Sequence, residues 1–417
     1  MAELDISKLD IFTPTHTGQF NACVGKNGAH DLRTYAEGYL QASEMLLDNI
    51  IENALAYERD TLVHPIMYSA RHAIELSIKH VLVELNKTDI QTEERLLRGH
   101  GLKRLWDLFK QQAKFDRRII EVIDSVDPIV NQLDQADPDA QDFRYPTNSE
   151  GSETLDGKAI VDLVTVKQLV DYLKKRLLLL FRLTEVIVDE RHLNAFTKEL
   201  NREELRQLSI DLPEINEWEK TAEFDKVKEC WKSKLGLSNS AFSRAINFIK
   251  SHREFSGNIG KEYKFFALNK DTLEQVLEKA YEIQQERIAN RNDRSFKRLT
   301  RPDPSYAAYE SLKGTLSQNA IAEIETIFYL SRDRRYSEEF DQLYDKTNKS
   351  LAVVGDDRLE EEKKNSFVHV FSKTNFIVEL IGGLRKIGEV TLAEDFKKYI
   401  VHVEVDLADP GLEMEFK

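Results

Sequence analysis

Ile66-Met67-Tyr68-Ser69-Ala70-Arg71-His72-Ala73-Ile74-Glu75-Leu76-Ser77-Ile78-Lys79-His80-Val81-Leu82 reads as one helix. Ile66, Met67, Ala70, Ile74, Ile78 and Leu82 recur at helical spacing, and Pro65 stands where a first helical turn accepts proline. Upstream, Tyr39, Met45, Leu46, Ile50 and Ala54 repeat the pattern, so two long helices are predicted, broken near His64-Pro65. Downstream, a polar stretch leads to a third helix from His100, with Leu102, Leu105, Trp106 and Phe109 on one side, and a fourth over 116–135. From Ala136 to Lys158 the pattern stops, and Asp137-Pro138, Tyr145-Pro146, Gly151 and Gly157 mark loop chemistry. Leu169, Leu173, Leu177, Leu180, Leu183 and Ile187 then offer an apolar face that closes a bundle, giving a predicted first domain over residues 1–195.

The remainder is also helical in pattern, with helices predicted at 199–208, 222–235, 238–251, 271–291, 304–330, 336–348, 357–383 and 391–400. Tyr263–Leu268 and His402–Leu407 alternate enough for short strands. Pro302 and Pro304 mark a linker, so residues 196–300 and 301–417 are read as two further helical regions. The expected fold class is all-α. Glycine and proline together number only 26 of 417 residues, too few for the turns of an all-β chain.

Composition excludes other classes. The net charge of −14 argues against coating nucleic acid or an anionic membrane with the whole surface, although Glu219–Arg301 alone carries +6. Two distant cysteines, Cys23 and Cys230, provide no disulfide framework, which fits a reducing cytoplasm. No stretch is long and apolar enough to span a membrane, so no membrane partner is expected. Phosphate-loop, dinucleotide-binding, zinc-protease and serine-hydrolase motifs are absent, and no metal site or cofactor is predicted.

The most informative cluster lies on the second helix. Arg71, Glu75 and Lys79 share one stripe, with His72 beside it. The stripe serves either as a solvated, ion-paired face or as the wall of a site. Arg144-Tyr145-Pro146 has two uses as well: Arg144 pairs with Glu75, or with Tyr145 it binds a ligand.

The order Arg71-His72-x-x-Glu75-Leu76-x-x-Lys79, then Gly99-His100-Gly101-Leu102, then Phe143-Arg144-Tyr145-Pro146 resembles the HEPN-like helical domains of prokaryotes, over residues 35–190. The resemblance implies a helical bundle, a homodimer and, in many members, a metal-independent ribonuclease, toxin or antiviral effector. RNA and a protein encoded nearby are the implied partners. The family's active pair is an arginine and a histidine with four to six residues between them: histidine moves a proton, and arginine binds the scissile phosphate. Two pairs here have that spacing, Arg59 with His64 and Arg95 with His100. Asp60 supplies the polar residue that follows the arginine in the family, whereas Leu96 departs from it. Arg59 and His64 straddle the first predicted helix break, which is early for the motif. Arg71, His72, Glu75, Lys79, Arg144 and Tyr145 are the predicted substrate-binding set.

In the second half, Lys234-Leu235-Gly236 and then Ser238 make a helix-turn-helix break that presents Ser240, Ser243, Arg244 and Asn247 to a groove, or simply pack. Arg291, Arg294 and Arg298 belong to a basic run suited to phosphate contact. Two functions follow: an RNA-directed defence or toxin-type protein, or a non-catalytic regulator or assembly subunit that dimerises and binds a protein, a small ligand or DNA.

Overall fold

The computed structural model describes residues 10–14, 18–28, 30–147, 151–155, 157–289, 303–352 and 356–400. Among them are sixteen α-helices and no strand, so the chain is all-α. It divides into two compact units, Met1–Asn194 and Ala195–Lys417.

The first unit is built on α1 (Leu32–Glu52), α2 (Arg59–Leu85), α3 (Leu102–Gln112), α4 (Arg117–Ala136) and α5 (Leu163–His192). Side-chain caps open three of them: Asp31, Asp116 and Asp162 accept backbone N–H groups at the starts of α1, α4 and α5. The expected break at His64-Pro65 lies elsewhere, between Glu52 and Arg59, where Ala54 takes φ +49°. Pro65 sits inside α2. Its missing N–H forfeits one bond to the preceding turn, a cost of about 3 kcal/mol. Burial of Ile66 and Ala70 immediately after it offsets that loss.

α1 packs along α2, and α5 lies against α1, α2 and α4. Ile74, Ile78 and Leu82 of α2 meet Leu105, Trp106 and Phe109 of α3 and Leu173, Leu177 and Phe181 of α5 in one core. Buried Trp106 keeps its indole N–H satisfied by donating to Asp127 Oδ1 at 2.7 Å. Between α4 and α5 the described chain is irregular, with one isolated antiparallel bridge, Thr147 to Glu153.

The second unit holds α6 (Arg202–Asp211), α7 (Glu223–Leu235), α8 (Asn239–Ser251) and α9 (Arg253–Asn258). These pack around Leu205, Leu208, Trp231, Phe242 and Phe255. A second core joins α10 (Lys270–Ala289), α11 (Pro304–Leu312), α12 (Gln318–Arg332), α13 (Phe340–Ala352), α14 (Asp356–Phe371), α15 (Phe376–Lys386) and α16 (Val390–Phe396). The cores change over between Ile259 and Leu268, so the expected boundary at 300/301 separates no core: α10 shares its apolar face with the helices after Asp303. Arg202 links the two by a forked pair of 3.0 Å bonds to Glu338 and a 2.5 Å bond to Glu254.

Three sequence expectations change here. The helix read over 304–330 is two, because Ser317 caps a new start at Gln318. The helix read over 357–383 is also two, separating at 372–375. Tyr263–Leu268 is not a strand: the N–H groups of Phe266, Ala267 and Leu268 donate to the fully buried Glu323 carboxylate at 2.8–2.9 Å instead of to a sheet neighbour. His402–Leu407 lies outside the described residues.

Candidate functional site

Arg71 and Glu75, one turn apart on α2, are 0% and 1% exposed. The solvated-face reading of this stripe is therefore corrected. What covers it is irregular chain from two directions rather than another helix. Arg71 Nε donates to the Asp137 carbonyl at 2.9 Å, and Nη2 donates to the carbonyls of His100 at 2.9 Å and Pro138 at 3.2 Å. Nη1 faces Glu75 Oε2 at 3.4 Å. One guanidinium thus fastens the loop before α3 and the loop after α4 to the same point of α2, a task suited to its rigid fork of donors.

Each loop is also braced locally. Asp137 Oδ1 accepts the N–H groups of Gln141 at 2.6 Å and Asp142 at 2.9 Å, closing the loop after α4 on its own first residue. Ala140 is held at φ +59°, a costly backbone state for alanine, and its carbonyl accepts Arg144 Nε at 2.5 Å. Gly99 adopts φ +91°, and its carbonyl accepts Lys79 Nζ at 2.9 Å.

Glu75 is the electrostatic centre. Burial pushes its pKa up, but His72, Lys79 and His100 around the carboxylate outweigh that and hold it at about 2. Lys79 Nζ lies 2.8 Å and His100 Nδ1 3.0 Å from Oε1, and His72 Nδ1 lies 3.8 Å from Oε2. Because the carboxylate is ionised, the hydrogen bond requires the proton on His100 Nδ1. The second ring nitrogen, Nε2, has no protein partner among the described residues. The His100 side chain is 64% exposed, so an oriented imidazole is presented to solvent on a buried anion.

Aromatic rings continue the site along α2. His72 stacks on Tyr68 at 5.4 Å and meets the edge of Tyr39 at 4.7 Å. The Arg144 guanidinium lies 5.3 Å from the Tyr68 ring and 5.4 Å from Tyr145. The expected pairing of Arg144 with Glu75 is not made, since the Ala140 carbonyl and the two rings draw the guanidinium elsewhere. Its terminal nitrogens have no partner among the described residues, and Tyr145 is exposed.

The structure treats the two predicted arginine–histidine pairs differently. Arg95 is exposed and ion-paired with Glu93, and no contact joins it to His100. Arg59 and His64 stand on continuous α2, not across a break, and both line a cleft of about 970 Å³ with Asp60 and Lys158. Arg59 approaches Asp60 at 3.6 Å, and His64 has no hydrogen bond among the described residues, so nothing orients its ring. His64 precedes Glu75 by roughly 16 Å of helix axis, placing the two histidines in different sites.

In the second unit, Gly236 ends α7 at φ +65°, and Ser238 Oγ caps α8 by accepting Ala241 N–H at 3.1 Å. Ser240, Ser243, Arg244 and Asn247 are exposed on α8, with Arg244 ion-paired to Glu199. Arg291, Arg294 and Arg298 lie outside the described residues.

Sequence reading missed Asp137, Ala140, Tyr39 and Tyr68 as site builders. Asp137 carried a signal, an acidic residue directly after a predicted helix and before proline. Ala140 and the two tyrosines carried none. Among the described residues, no group of three or more histidine, cysteine or acidic side chains could hold a metal ion, and no helix is long and apolar enough to cross a membrane. Comparison with models of known protein families, with curated proteins and with solved structures gives no match.

Proposed function

We propose that the N-terminal unit is HEPN-like and acts on RNA, with His100 as the proton-transferring group. The observation that supports this reading is the bond from His100 Nδ1 to buried Glu75, which orients an exposed imidazole as a general acid–base catalyst requires. In the proposed step, His100 Nε2 takes the proton of a ribose 2′-hydroxyl and the 2′-oxygen forms a bond to phosphorus. The bond from phosphorus to the 5′-oxygen breaks, and the leaving oxygen takes a proton from water. Lys79 and Arg144 offset charge on the phosphate. Glu75 positions His100 and stabilises the imidazolium that forms.

Purified protein is expected to cleave single-stranded RNA in the presence of a chelator. His100→Ala should lower the rate at least about a hundredfold with unchanged circular dichroism. His64→Ala should retain activity. Full cleavage by His100→Ala, or loss confined to His64→Ala, rejects the assignment.

A second reading is a non-catalytic regulator or assembly subunit that dimerises. It is favoured by Arg71, which spends its donors on backbone carbonyls and on the internal carboxylates of Glu75 and Asp137. An intact homodimer without any RNA cleavage would select it.

A further inference from the structure

The first unit contains a cavity separate from the His100 cluster. It lies between α2, α4 and α5, has a volume of about 300 Å³, and is walled by Met67, Ala70, Ile129, Leu133, Leu169 and Leu173. Ala70, Ile129, Leu133 and Leu173 are buried, so the walls belong to the core rather than to the surface. These wall groups are apolar, so they offer a water none of the several polar partners it needs and suit an apolar occupant.

The mouth has the opposite chemistry. Gln132, Gln135 and Lys158 border it. Lys158 Nζ donates to the Gln135 carbonyl at 3.1 Å and forms no ion pair among the described residues; Asp142 senses its charge from beyond ion-pair distance. An ammonium beside two primary amides above an apolar floor is complementary to one ligand class, an anionic head on a hydrocarbon body. A phosphorylated sugar or nucleotide would bury polar groups against leucine and isoleucine, whereas a neutral hydrocarbon would leave the ammonium unused.

We propose that this pocket binds a medium-chain aliphatic carboxylate, its chain between α2, α4 and α5 and its carboxylate on Lys158. The site is independent of RNA chemistry, and its test needs no catalytic readout. Decanoate is titrated calorimetrically into the full chain below its micelle-forming concentration, beside 1-decanol as a neutral probe of equal length. Saturable binding of one decanoate per chain is expected, with decanol weaker. Lys158→Gln should weaken decanoate at least tenfold and remove the preference over decanol. Ala70→Leu fills the cavity from α2 and Leu169→Phe fills it from the half-buried edge on α5. Each should abolish binding, with circular dichroism verifying the fold. Absence of saturable binding in the unaltered protein, equal binding of decanol, or undiminished binding in a folded filling variant overturns the proposal.

Discussion

Glu75 ties stability to pH in a direction that can be worked out. Its ordinary value is 4.5 and its folded value is about 2, so the fold favours the carboxylate. The contribution is complete above pH 4.5 and disappears as pH falls towards 2, and a shift of this size corresponds to about 3 kcal/mol. Urea unfolding of the unaltered chain should lose that much between pH 5 and 2. Glu75→Gln should be less stable at neutral pH and show a shallower acid slope; an equally steep slope in the variant would contradict this account. Arg71→Met removes the cation that holds two loops and leaves carbonyls and Glu75 without it, so a loss of about 3–5 kcal/mol is expected at neutral pH. Denaturant midpoints check the value. Helical spacing made it legible that Arg71, Glu75 and Lys79 share a face. That the face is buried was not legible, because its covers are irregular segments with no periodicity to project. Arg144 was noticed for its neighbour Pro146, yet its direction is decided by a backbone carbonyl at Ala140, a position whose strained φ leaves no trace in residue type.

Among the elements, α12 and α15 pack extensively in the second unit, with close approach at two glycines. A Cβ built on Gly383 would stand 2.0 Å from the Ile327 carbonyl oxygen, and one on Gly382 would meet Ser331 Oγ at 2.5 Å. The pair therefore depends on absent side chains. Gly383→Ala should destabilise the unit by about 1–3 kcal/mol despite alanine's better helix propensity. Gly314→Ala, where nothing lies within 4 Å, serves as the control and should be near neutral. Equal melting temperatures for the two variants would refute the close-contact explanation. Periodicity located nearly all the helical chain but overran the gaps within 304–330 and 357–383. The first gap is closed by Ser317, which caps the helix that starts at Gln318. The alternation over Tyr263–Leu268 falls on irregular chain with bends at Phe266 and Ala267, and the partner of three consecutive N–H groups there is a single carboxylate, Glu323, which sequence spacing does not reveal.

At the scale of the molecule, the two units have separate cores, and that of the first draws on residues between Ala36 and Ile187. A chain ending at Asn194 should accordingly fold by itself and unfold cooperatively in urea, retaining the His100 cluster and the apolar cavity. A broad, non-cooperative transition would disprove this independence. The Arg71 clamp also dictates an order of events. Its bonds reach His100 and Asp137, 29 and 66 positions along the chain, so they close after the local turns of α2 and α3 have formed. Interactions made late in folding act mainly on the rate of escape from the native state. Arg71→Met should therefore steepen little and lift mostly the unfolding limb of a chevron plot, with the refolding rate nearly unchanged. The clamp is in this sense a kinetic latch: it governs how long the assembled loops stay together once the bundle has formed.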